Sequence, residues 1–519
     1  MSMGRTRGVV LIGMQGHVIE VEADVGQSLP SFILLGLPDA ALRESQDRIR
    51  SAAKNAGLDL PARRLTVNLF PASLRKSGSG LDLAILMSAW AADGRVTGTD
   101  GIVFLAELGL DGRLRPVRGV LPAVASAAAD GVSTVVVAKE NATEAALVPD
   151  LQVLAADHVI ELAALFRAPG AHDIPEAAAH QVERYEGGVP QDGTPEGVGV
   201  GPDLQEVRGQ HEARFALEMA AAGAHHLLLM GAPGAGKTML AERLPSILPP
   251  LQTDQAMEVT AIESISAGAR SVRTLRRRPP FEAPHHSASA AAIVGGGARV
   301  PSPGAATRAH HGVLFLDEAP EFHRQVLDSL RQPMETGRIS LHRAAGVVTY
   351  PAQFQLVMAA NPCPCGLNVG RGTGCTCTVA QRRSYLTRIS GPLMDRIDLQ
   401  VHVERPSSAA LALSESAESS ATVLERVVRA REAQRERLSR YGLQRNSQVP
   451  VSLFFGALKI SPGTTAQLDS ALDHALLSLR GYVRVLRLAW TLSDLAGSAQ
   501  PGADDIDAAM QLRLQTGRS

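Results

Sequence analysis

"LLLMGAPGAGKTML", residues 227–240, sets G-x-x-x-x-G-K-T (Gly231 to Thr238) between an apolar, strand-like run and the start of a helical pattern. That context turns a pattern into a phosphate-binding prediction. Glycines let backbone N–H groups wrap the phosphates, the helix N-terminus adds its dipole, Lys237 reaches the β/γ oxygens and Thr238 holds Mg²⁺. The predicted nucleotide turn is Gly231, Ala232, Pro233, Gly234, Ala235, Gly236, Lys237, Thr238 and Met239, with ATP and Mg²⁺ as its cofactors.

Downstream, "GVLFLDEAPEF" (312–322) ends a second apolar strand in two acids. Asp317 suits a partner for the metal ion and Glu318 a base that polarises water, and a buried strand has no packing reason to end in two carboxylates. A third strand, "FQLVMAAN" (354–361), ends in Asn361, an amide able to position the attacking water or, on its own, a simple turn former. Strands and helices alternate from about 204 to 405, which predicts a parallel sheet. Arg396, in "SGPLMDRIDL", is placed to act in trans as an arginine finger, and Arg480, in "SLRGYVRVLRLAW", to sense the phosphate in cis, with Arg484 its near alternative. A plain surface ion pair is the other reading of each.

Further out, residues 1–165 mix β-rich runs ("RLTVNLF", "TVVVAKE") with helical patterns ("DAALRESQDRIRSAAKNAG"), the mixture expected of an α/β or α+β domain. Residues 166–203 are rich in Gly and Pro and read as a linker. Residues 406–519 carry helical periodicity and predict a small helical lid domain. The whole is a multidomain α/β chain, as 519 residues with 45% apolar content require. With 51 basic against 52 acidic residues, composition identifies no partner. The N-terminus lacks a signal-peptide pattern and no run reaches the roughly 18 apolar residues of a membrane helix, so the expectation is a cytoplasmic protein with no membrane partner.

All four cysteines, Cys363, Cys365, Cys375 and Cys377, fall in "NPCPCGLNVGRGTGCTC" (361–377) as C-x-C, nine residues, C-x-C. Four thiolates suit one tetrahedral Zn²⁺; reduced cysteines and redox chemistry are the alternatives. The glycines between them leave the loop unable to hold a shape unaided.

With these elements in order, 204–519 resembles the AAA+ ATPases of the magnesium-chelatase and replicative-helicase branch. The likeness tightens around "FEAPHHSASAAAIVGGG", "PSPGAATRAHHGVLFLDEAPEF" and "ANPCPCG". Together with 1–165 the chain resembles the YifB/ComM family, whose N-terminal domain is Lon-protease-like, which implies α+β for that part. The resemblance implies a hexameric ring, helicase and branch-migration activity in recombination and integration of transforming DNA, and single-stranded, forked or three-stranded DNA as partner. A magnesium-chelatase-type motor and a nucleotide-binding assembly scaffold are the rival readings. It also implies two DNA-facing insertions, at about 265–300 and about 337–350. The first holds Arg270, Arg273, Arg276, Arg277 and Arg278, which a solvated loop also explains; the second has Arg343 near a hairpin tip, a suitable phosphate contact. Against the Lon pattern, "RKSGSGLDLAI" puts Gly78 at the nucleophile position, between Ser77 and Ser79, and "LRPVRGVLPAV" puts Leu121 at the lysine. Peptidase activity is therefore not expected.

Overall fold

The computed structural model describes residues 3–36, 39–72, 74, 76, 79–188, 201–266, 272–297, 301–343, 346–368, 374–406 and 417–514. No helix among them is long and apolar enough to cross a membrane.

The N-terminal part is an eight-stranded mixed sheet built from β1 (Gly4–Ile12), β2 (Gln15–Gly26), β3 (Ser31–Leu35), β4 (Arg64–Phe70) and β5 (Val103–Leu105), then, after a small ribbon of β6 (Glu107–Leu108) and β7 (Leu114–Arg115), β8 (Thr134–Ala138), β9 (Gln152–Ala156) and β10 (Glu183–Glu186). Its order is β10-β9-β8-β5-β1-β2-β4-β3. Period-2 alternation decides which face is covered: Ile19, Val21 and Ala23 of β2 and Leu65, Val67 and Leu69 of β4 are all buried. They close over the helix Asp82–Ala92, which is apolar almost all round and buried along nearly its whole length, as such a helix must be. Asp82 begins that helix in the interior, where Ser45 Oγ and Arg48 Nε (2.7 Å) satisfy its carboxylate.

β10 lies inside the stretch read as linker. It pairs antiparallel with β9, and Ile174 and Val182 before it are buried, so the N-terminal fold continues to about Gly188. The sequence "ERYE" has no apolar alternation to announce a strand; short and charged, it is what an exposed sheet edge tolerates.

The central part is a five-stranded, wholly parallel sheet of β11 (Leu227–Met230), β12 (Phe281–Glu282), β13 (Val313–Leu316), β16 (Gln355–Ala360) and β17 (Leu399–His402), in the order β12-β13-β16-β11-β17. The inner strands β11 and β13 are apolar at every position, and β16 at all but its first, because both faces are covered. Leu227, Leu229, Val313, Phe315, Val357 and Ala359 point into one core, shared with the helix His211–Gly223 and the C-terminal helices. Leu228, Met230, Leu314, Leu316, Leu356 and Met358 point into another. That second core also takes Ile339, Leu341, Val348 and Tyr350 from the antiparallel hairpin β14 (Arg338–Arg343) and β15 (Gly346–Pro351). The hairpin occupies the second predicted insertion, with Arg343 in its last described pair; the side chain of Arg343 lies outside the described residues. The first predicted insertion is, among the described residues, a loop, the edge strand β12 and the short helix Ala290–Val294.

The C-terminal part is helical, with helices Ser420–Leu438, Pro462–Asp473, Leu479–Leu495 and Ala503–Leu514. Arg437 ties two of them by a forked ion pair to Asp494 (2.6 and 2.8 Å) while lying 4.3 Å over the Trp490 ring. Among the described residues the N-terminal domain rests on the central one at the hairpin and at the helix Thr253–Ser266. The β1–β2 turn seats Ile12 and Met14 against the hairpin core. The Gly119 N–H donates to Ser264 O at the end of helix Thr253–Ser266, and the Ser264 hydroxyl donates to the buried Glu144.

Candidate active site

The C-terminal ends of β11, β13 and β16 lie side by side because β16 sits between the other two. This brings Lys237, Asp317 and Asn361 together from distant parts of the chain. Gly234 and Gly236, at φ of 73° and 93°, turn the chain sharply after β11. Gly231 passes so close to β17 that a Cβ would stand 2.3 Å from Val403 O.

Lys237 is buried, and its three ammonium protons meet three acceptors: Gly231 O (2.8 Å), Ala232 O (3.0 Å) and Asn361 Oδ1 (3.0 Å). Burial pulls its pKa down, against the opposing pull of Asp317 and Glu318. Thr238 Oγ1 donates to Asp317 Oδ2 at 2.7 Å, across seventy-nine residues of chain. Hydroxyl and carboxylate oxygens held together in this way are the hard donor set Mg²⁺ takes beside phosphate, so the residues fit the ion.

Glu318 stands just beyond, at φ 51° and ψ 44°, a left-handed conformation rare for a glutamate. Its backbone N–H donates to Asp317 Oδ1 (2.9 Å), and its half-exposed carboxylate meets His286 Nδ1 at 3.2 Å. His286 lies in the quoted "FEAPHHSASAAAIVGGG" stretch but carries no motif that marks it. Two further residues join the site unannounced. Gln210 donates to Ala235 O (2.6 Å), and Arg405, just past β17, donates to Pro233 O from Nε (3.2 Å) and Nη2.

Arg396 and Arg480 are not brought to this turn. Arg396 donates to Pro392 O and pairs with Glu335; Arg480 pairs with Asp395 (3.3 Å). Both line a cleft of about 740 Å³ between the central sheet and the C-terminal helices. Among the described residues seven arginines line that cleft, and neither the 231–239 turn nor Asp317 nor Glu318 does. Arg484 is spent structurally, donating to Ile397 O (2.7 Å) beside Asp398. The expected cis contact of Arg480 therefore finds no support in the geometry.

The basic cluster is partly engaged. Arg276 faces Glu263 (3.6 Å), Arg277 donates to Leu251 O and Thr253 Oγ1, Arg278 packs close to Gly201, and Arg273 is exposed. Arg270 lies outside the described residues.

The cysteines converge. Cys363 Sγ lies 3.4 Å from Cys365 Sγ and 3.7 Å from Cys375 Sγ, Cys365 and Cys375 are 3.7 Å apart, and all four sulfurs fall within 4.8 Å of one another. Four thiolates around Zn²⁺ at about 2.3 Å would stand about 3.8 Å apart. Glu258, His310 and His311 are a second group with metal-type donors. There, however, His310 Nδ1 accepts the Gln353 N–H (3.0 Å), which leaves the proton on Nε2. Its 2.9 Å contact to Glu258 is thus a hydrogen bond, and that bond with its His311 counterpart holds the Glu258 carboxylate well below the usual range.

In the N-terminal domain, Leu121 is buried and its N–H donates to Glu144 Oε1 (3.0 Å). Lys76 is fully buried with its amine turned to the carbonyls of Pro71 and Leu74. Ser77 and Gly78 lie outside the described residues.

Comparison with known proteins covers the chain. Residues 203–411 match the family described as magnesium chelatase, subunit ChlI, residues 21–141 that of subunit ChlI of Mg-chelatase, and residues 417–513 the ChlI C-terminal family. The YifB protein of Escherichia coli is 39% identical over 498 residues, 95% of this chain and 94% of its own. The competence protein ComM of Haemophilus influenzae is 38% identical over 495 residues, 94% and 93% of the two chains. A Lon protease of Mycolicibacterium smegmatis is 28% identical over 162 residues, 30% of this chain and 20% of its own.

Proposed function

Because the chain belongs to the magnesium-chelatase-like family of YifB and ComM, we propose that it is a ring-forming, ATP-hydrolysing motor that moves DNA strands. Helicase and branch-migration activity in recombination, including integration of transforming DNA, is the function this reading assigns. The observation that carries the ATPase half is the triple convergence at the strand ends: Lys237 on Asn361, Thr238 on Asp317, and Glu318 half exposed beside them. Mg²⁺ held by Thr238 and Asp317 would neutralise phosphate charge. Lys237 and the 231–239 backbone bind and orient the phosphates, Asn361 positions water, and Glu318 accepts its proton.

Arg396 and Arg480 share a cleft apart from their own phosphate turn. In a hexamer we assign both to the neighbouring subunit's nucleotide, in trans. The DNA half is supported by the ComM relationship and by the β14–β15 hairpin. In this reading Arg343 and Arg273 contact phosphates, whereas Arg276, Arg277 and Arg278 serve mainly to hold their loop. The cysteine cluster binds Zn²⁺. The N-terminal domain is a non-proteolytic scaffold, consistent with buried Leu121 where Lon-type proteases carry lysine.

Strand displacement on three-stranded and forked DNA tests the proposal, with ATP, with a non-hydrolysable analogue, and with Glu318→Gln. Displacement by the wild type with ATP alone is expected. The matches to chelatase subunits favour one rival, a motor for a metal chelatase. ATP turnover that ignores DNA would favour that rival over a DNA motor. A pure nucleotide-binding scaffold would leave Glu318→Gln indistinguishable from wild type.

A further inference from the structure

We propose that the cysteine turn braces the phosphate loop, so that the zinc held by Cys363, Cys365, Cys375 and Cys377 sets how tightly the protein binds nucleotide. This rests on the zinc and ATPase readings above and adds a mechanical link between them.

The link is one contact. Gly366 sits at φ 76°, in a tight turn closed by its N–H on Cys363 O (2.9 Å). A Cβ built on it would stand 2.4 Å from Pro233 Cγ and 2.5 Å from Cδ, so the bare backbone of the cysteine turn lies directly on the proline ring of the phosphate loop. On the other side, Pro233 O accepts from the Arg405 guanidinium. Pro233 is thereby held between two elements that come from beyond β16 and β17.

The turn is also joined to the catalytic strand. Asn361, which accepts from Lys237, is two residues before Cys363, whose thiol is fully buried. Among the described residues little else fixes it: Leu367 is half exposed, and Asn368 Oδ1 accepts from Arg382 (2.9 Å). A glycine-rich segment with so little buried apolar surface gains its order from a metal. Without the metal, ordering the turn and the loop beneath it falls to the nucleotide and weakens its binding.

The experiment measures bound zinc by mass spectrometry and the Kd of a fluorescent ATP analogue for the full chain. The wild type is expected to carry about one zinc per chain. Cys375→Ser with Cys377→Ser is expected to lose the metal and weaken the analogue about tenfold, within the range for residues in contact. Gly366→Ala, which keeps all four thiols but pushes the turn off the ring, is expected to weaken it similarly with zinc retained. In a Pro233→Ala background the cysteine changes should shift Kd by less than about twofold, because the contact is already gone. A zinc-bearing protein whose Kd is indifferent to metal loss overturns the brace alone. A protein purified without any transition metal overturns the zinc reading and the brace together. Zinc-loaded protein that binds no nucleotide overturns the ATPase reading, and this one with it.

Discussion

Glu318 combines an unusual backbone with a half-open carboxylate, and its two neighbours divide its duties: Asp317 takes its N–H, His286 one oxygen. Glu318→Gln should lower kcat about 10²–10⁴-fold with nucleotide affinity nearly unchanged, as removal of a base does, checked by turnover against equilibrium binding. A second residue makes a pH prediction. His226 accepts the Leu356 N–H through Nδ1 (3.0 Å), and burial pushes its pKa from 6.5 down to about 4. The unfolded chain takes up this proton below about pH 6.5 and the folded chain only near 4. Its contribution is therefore complete above pH 6.5 and is lost as pH falls, about 3 kcal/mol across the window. Thermal unfolding between pH 8 and 5 should show that slope, and His226→Asn, which keeps an acceptor for Leu356, should flatten it. Lys237, Thr238, Asp317 and Asn361 were legible in the sequence because strand ends and spacing announce them. Arg405, His286 and Gln210 were not, since each meets the site from a separate part of the chain and no period or motif records such a contact.

At the scale of elements, the parallel strands and the hairpin were readable from apolar runs and alternation. β10 was missed because an edge strand need not be apolar. The packing of the β1–β2 turn on the β14–β15 hairpin was also invisible, since it depends on a missing side chain. Gly13 sits at φ 67°, and a Cβ there would stand 2.7 Å from Val348 Cγ1. Gly13→Val therefore combines a left-handed β-branched residue with overpacking, and should cost about 2–4 kcal/mol. Differential scanning calorimetry of the full chain checks this, and an unchanged Tm would mean that the turn does not rest on the hairpin. The same turn gives the N-terminal sheet a direct hold on the element assigned to DNA.

For the whole molecule, the arginine cleft makes a prediction that no single subunit can satisfy. Arg396→Ala should bind ATP but hydrolyse it poorly, about 10³-fold down if it is a finger in trans. Lys237→Ala should fail to bind it. Mixed in one ring, the two proteins should recover turnover that neither has, because a Lys237→Ala subunit still presents Arg396 to an intact neighbour's site. A mixture as inactive as its parts would place Arg396 in its own subunit's chemistry. The place of Arg480, beside Asp395 in that cleft rather than at the 231–239 turn, was not legible for a related reason: periodicity located its helix, but not the surface that the helix faces.

The strand order has a consequence for synthesis. β11 and β13 are not neighbours; β16 stands between them, and β17 closes the far side of β11. As the chain leaves the ribosome, the N-terminal sheet, residues 4–186, is complete early. The phosphate loop, by contrast, emerges long before the strand that will join it to Asp317. The nascent central sheet therefore gains stability from ATP only after residues 355–402 have been made, so the ligand rewards a chain in which all five strands are present.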